Sequence, residues 1–108
     1  MNNPVRIAAR QVETARGEPQ AGVIPVSNLP DDVGINLRRL LSGSLTHDIF
    51  AGAVLGRIDW VVRVSGDGPD RTLEIPASNP SEEAKAVAAF LTATLPKVPF
   101  KEALRIVD

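Results

Sequence analysis

The sequence predicts an α+β domain: a small antiparallel sheet with two main helices packed on one of its faces. Three observations lead there. Two segments, at about 30–42 and 80–94, carry apolar residues at spacings of three and four between a capping residue and a breaker. Between them, at about 57–76, a run alternates, turns and alternates again, as a hairpin does. The chain has 108 residues, 44% of them apolar and 23% charged, which is one ordinary domain spanning 1–108.

The N-terminal segment admits two readings. Val5, Ile7 and Ala9 alternate as in a strand, after a flexible start over residues 1–4. Val5, Ala8, Ala9 and Val12 also fit a helix, with Asn3 capping, Pro4 first and Gly17 stopping it. The β-branched residues favour the strand. A loop with Gly17, Pro19 and Gly22 follows. Val23-Ile24-Pro25-Val26 is then a short extended piece, which Pro25 confines to a sheet edge.

The first helix is expected from Pro30, with Asn28 as cap and Asp31 or Asp32 in its first turn. Val33, Leu37, Leu40 and Leu41 form its apolar stripe. Arg38 and Arg39 close it, where cations suit the helix dipole, and Gly43 stops it. The next apolar stretch, Ala51 to Gly56, reads equally as strand or short helix, and its two glycines weaken both.

In the hairpin, Ile58, Trp60, Val62 and Val64 point one way, and Arg57, Asp59, Val61 and Arg63 the other. The turn is Ser65 to Asp70, and the second strand places Leu73 and Ile75 inward. The outer face is expected to carry Arg57, Asp59, Arg63, Arg71 and Glu74, and to meet water or a partner. Trp60 belongs to the core.

The second helix has the fullest signature. Asn79 is expected to cap it, Pro80 to open it, and Glu82 and Glu83 to sit at the positive end of its dipole. Ala84, Val87, Ala88, Leu91 and Leu95 line one face, and Pro96 ends it. A short C-terminal helix is expected over 100–107, with Phe100, Ala103, Leu104 and Val107 on one face.

Composition narrows the function classes. There is no cysteine and one histidine, so no thiolate site or multi-histidine metal site forms within one chain, and no cofactor or metal is expected. The 12 Lys and Arg against 13 Asp and Glu do not describe a polybasic nucleic-acid binder. The start, Met1-Asn2-Asn3-Pro4, has no basic or apolar signal region, and no stretch is long enough to span a bilayer. The expectation is a soluble, cytoplasmic protein away from membranes.

Three constellations deserve weighing. Ser42 to Asp48 gathers three hydroxyls, His47 and Asp48, so Ser44, His47 and Asp48 are the candidate catalytic residues. Adjacent side chains point apart, however, and the simpler reading is a helix stop followed by the cap of the next element. The Gly66-Asp67-Gly68-Pro69-Asp70 turn lacks the ligands of a calcium loop and the lysine of a phosphate loop. Arg6, Arg10 and Arg16 make the N-terminus locally basic, without the aromatic residues that would stack on bases. The candidate binding residues are Arg6, Arg10, Arg57, Arg63 and Arg71.

The chain carries no signature of the common RNA-binding folds, kinases, hydrolases or dinucleotide binders. The expected function is a non-enzymatic protein-interaction or regulatory module that self-associates as a homodimer. Its sparse chemistry and its exposed sheet edges motivate this. A small enzyme or ligand-binding domain with its site near Ser44–Asp48 is the alternative. A nucleic-acid-associated regulator using the N-terminal arginines is the weaker one.

Overall fold

Five strands form one open sheet, in the order β2-β1-β4-β5-β3, the longer of them with period-two alternation. The computed structural model describes residues 4–12, 17–42, 48–50, 58–66, 70–77 and 80–107, with backbone only for Pro4 and 48–50. The strands are β1 (Pro4–Gln11), β2 (Ala21–Pro25), β3 (Asp48–Phe50), β4 (Ile58–Gly66) and β5 (Arg71–Pro76). The helices are α1 (Asp31–Ser42), α2 (Glu82–Thr94) and α3 (Phe100–Ile106). Among the described residues, no helix is long and apolar enough to cross a membrane.

The N-terminal segment is a strand, paired antiparallel with β2 on one side and β4 on the other. The hairpin of β4 and β5 forms as expected, with Val62 beside Leu73. β3 was not expected. It runs parallel to β5, from Asp48 beside Thr72 to Phe50 beside Glu74, so the sheet is four antiparallel strands with a short parallel edge. Three residues are too few to show a strand's alternation in sequence.

Cross-strand register sorts the side chains into two faces. Ile7 pairs with Ile24 and Val64, and Ala9 with Val62, so these share one face with Trp60, Leu73 and Ile75. All are buried, Trp60 to 1% exposure. Val33, Leu37 and Leu41 of α1 cover this face beside Ala84, Val87 and Leu91 of α2, forming one apolar core. The two main helices therefore share a face, as their stripes require.

Boundaries moved at three elements. β2 runs over Ala21–Pro25, so Gly22, expected in the loop, lies inside the strand, where it and the neighbouring Ala21 are held by pairing with β1. α2 starts two residues later than expected because Ser81, not Asn79, is the cap: its Oγ accepts from the backbone N of Ala84 at 3.2 Å. Before α1, Val26–Asn28 winds into a 3-10 turn, and the α-helix begins at Asp31.

α3 lies on the opposite face, against β1 and β2. Only part of its expected apolar face is used. Ala103 and Val107 are 1% exposed, whereas Phe100 and Leu104 are 56% and 36% exposed. The four positions span eight residues and an arc of about 100°, and the sheet contact takes the side with Ala103 and Val107.

The segment between α2 and α3 binds the edge strand. Ala21 N donates to Pro96 O at 3.1 Å, and Val98 N donates to Pro19 O at 2.9 Å. Gly22 makes room for this: a Cβ there would stand 2.7 Å from Leu95 Cδ2. Gln20 is the centre of the joint. Its Nε2 donates to Thr92 O at 2.8 Å and Leu95 O at 2.7 Å, the carbonyls that α2 leaves unpaired at its end. Its backbone N donates to Gln11 Oε1 at 2.9 Å.

Gln20→Ala is expected to lower stability by about 1–3 kcal/mol, the cost of stranding such acceptors. Gln20→Glu should be no better, because a carboxylate has no N–H to give. A urea midpoint unchanged by both substitutions would contradict this.

Candidate functional site

The candidate catalytic residues yield no assembled centre in the described structure. Ser44 and His47 lie outside the described residues, as do Gly43, the Ala51–Gly56 stretch and residues 67–69 of the hairpin turn. Asp48 opens β3, with its backbone beside Thr72. Among the described residues, no group of three or more His, Asp or Glu is placed to hold a metal ion.

The candidate binding arginines divide by what they touch. Arg71 was expected on the outer face, and the structure corrects this. It pairs with Val64, so it lies on the helix-covered side with Leu73 and Ile75. Its long stem carries the guanidinium to the end of α1, where Nη2 donates to Leu41 O at 2.8 Å. Arg10, on the other face, does the same for α3: its Nε donates to Val107 O at 2.6 Å. Both cations meet the negative end of a helix dipole.

Arg6 and Arg63 remain on the outer face, Arg6 exposed and Arg63 half-buried. Arg57 lies outside the described residues. Of the expected basic N-terminal arm, Arg6 and Arg10 stand on β1, held between two strands, and Arg10 is occupied, while Arg16 lies outside the described residues.

Asp59 is half-buried at the start of β4, and burial pushes its carboxyl above the ordinary aspartate range. It stands where the β4–β5 register shifts between Ile58 and Trp60, and burial alone, with no charged partner among the described residues, raises it.

The β2 edge offers less than expected. Along β2, successive N–H groups point alternately toward β1 and outward. Ala21 N, facing outward, is taken by Pro96 O, and Pro25 has no N–H. Val23 alone is left to offer a donor to an added strand. A proline and a covering loop are common ways to blunt an edge.

Comparison with family models, curated proteins and solved structures finds no match for this chain. The function must be read from the surface itself.

Two apolar features stand on the helices' solvent side. On α3, Phe100 and Leu104 are one helical turn apart and form an exposed apolar ridge. Lys101 and Arg105 flank it toward solvent, and Arg105 pairs with Glu102 at 3.8 Å. On α1, Ile35 is 48% exposed and points away from the buried stripe of Val33, Leu37 and Leu41. Asp31, Asp32, Arg38 and Arg39 are exposed around it. Their positions were visible in the sequence, but capping and dipole roles accounted for them one at a time.

Arg10→Ala and Arg71→Ala should each cost about 1–3 kcal/mol of stability, since each strands a helix-end carbonyl. Arg6→Ala should stay within about 0.5 kcal/mol, as an exposed substitution does. Equal denaturation midpoints for all three would refute the division.

Asp59 gives a pH signature. Because its carboxyl is raised in the folded state, its contribution to stability is full below the unfolded value, about pH 4, and is lost as pH rises through the folded value. Asp59→Asn removes this loss. The variant is expected to be more stable than the parent at neutral pH, with the difference closing in acid. A difference that persists below pH ~3 in thermal melts would rule this out.

Proposed function

We propose that this protein is a non-enzymatic interaction module that self-associates. The observation that carries the reading is that helices on both faces of the sheet present apolar side chains outward, Ile35 on α1 and Phe100 with Leu104 on α3. Single exposed apolar residues are ordinary on any surface. Here they sit on helical faces bordered by charged residues, the apolar-centre and polar-rim arrangement of a protein contact.

The charge balance supports this. A net charge of −1 lets two copies approach without strong mutual repulsion. Two of the arginines available to an anionic ligand are committed to helix ends, Arg10 and Arg71. The blunted β2 edge favours side-chain contact over strand addition as the mode of association.

Sedimentation equilibrium from micromolar to millimolar protein tests the proposal. The expected average mass rises with concentration from 11.5 kDa toward twice that value. A mass that stays at 11.5 kDa throughout would overturn it.

A further inference from the structure

We propose that the outer face of α1 is a two-fold dimer interface, in which α1 packs antiparallel on α1 of a second copy with Ile35 at the centre. This rests on the self-association reading and assigns it a surface. The argument is the arrangement of charge. Asp31 and Asp32 precede Ile35 by four and three residues, and Arg38 and Arg39 follow it by three and four. All five residues are exposed on the side of α1 away from the core.

An antiparallel pair centred on residue 35 lays the acidic end of one helix over the basic end of the other. Asp31 and Arg38 lie on one side of Ile35 and Asp32 and Arg39 on the other, so Asp31 meets Arg38 of the second copy and Asp32 meets Arg39. The same contacts recur on the other side of the axis, as an isologous interface requires. Four ion pairs form around an apolar contact of Ile35 with its own copy. Within the chain the charges cannot satisfy one another: Asp31 and Arg38 lie two turns apart on the helix, about 10 Å along the axis. Among the described residues the ion pairs are Lys85–Glu82 and Arg105–Glu102, and none of these four takes part.

Gly34 leaves one flank without a side chain, and the space a Cβ would take is open. Helices pack with axes roughly 8–10 Å apart, and a glycine beside the central contact suits that approach. The opposed dipoles of antiparallel helices add to the match. The α3 ridge suits a second copy less well. Lys101 and Arg105 both border its solvent side, so a two-fold pairing there would set basic groups against basic groups.

The test uses complementary charge variants of the full chain, followed by sedimentation equilibrium. Asp31→Arg with Asp32→Arg makes the face wholly basic, and Arg38→Asp with Arg39→Asp makes it wholly acidic. Each alone should dimerise at least about tenfold more weakly than the parent, since like charges now meet across the axis. An equimolar mixture should recover dimerisation as a mixed pair. None of the four side chains is in the core, and circular dichroism checks that both variants keep their helices. Ile35→Glu, with every other charge intact, should weaken the dimer as well, and Phe100→Ser with Leu104→Ser should not.

A parent that dimerises while both charge variants dimerise equally well would overturn this interface and leave self-association standing. A monomeric parent would overturn both. Loss of the dimer in Phe100→Ser with Leu104→Ser, with the α1 variants unaffected, would move the interface to α3.

Discussion

The arrangement depends on how its helices end. An α-helix leaves its last carbonyls without intrahelical donors, and many helices close them with a glycine in the left-handed region. Here α2 and α3 leave in extended conformation, at Leu95 with φ −81° and at Val107 with φ −140°. Their end carbonyls take donors from elsewhere in the fold. Gln20 serves α2, Arg10 serves α3, and Arg71 serves α1 in the same way. Each donor stands on a strand or immediately before one, so every helix end is also an attachment to the sheet. A substitution at these positions acts on the docking of a whole element, although it removes only one or two hydrogen bonds.

This constraint explains which parts of the fold could be read from the sequence. The stripes of α1 and α2 and the alternation of β4 and β5 are local patterns, repeating over a few residues, and they fix the covered face correctly. The end caps join residues 30, 75 and 97 positions apart in sequence, and no short-range pattern marks them. Arg71 shows the consequence. Its parity with Leu73 and Ile75 places it inward, but its charge suggested water. Parity prevailed because a guanidinium on a long stem can lie over the core face and still reach a polar group at its rim. Ser81 prevailed over Asn79 for a different reason: both are good caps, and only the structure shows which side chain meets a free N–H.

The two sides of the sheet are held differently. One carries the continuous core of α1, α2 and the strands, anchored by Trp60, Leu37, Leu73 and Leu91. The other carries α3, where Ala21, Ala103 and Val107 are buried outside that core cluster. Fewer buried apolar side chains hold this side, so the Arg10 contact is a larger share of what keeps α3 in place. The apolar ridge of Phe100 and Leu104 thus sits on the more lightly attached helix, whereas Ile35 sits on one fixed by the main core. A surface meant to bind in a defined geometry is better built on the second kind of support.

The charges of α1 have an ordinary explanation that covers them in part. Acids at the start of a helix and bases at its end oppose the macrodipole and stabilise an isolated helix by a few tenths of a kcal/mol each. That account predicts the signs and the ends. It does not require all four to share the solvent face, nor an exposed isoleucine midway between them. An apolar side chain gains nothing from water at that position, and threonine or glutamine would leave the helix as stable. The dimer accounts for the signs, the shared face, the equal spacing and the isoleucine together. Dipole and dimer act in the same direction, because the polarity that stabilises one helix is the polarity that makes an antiparallel copy complementary to it.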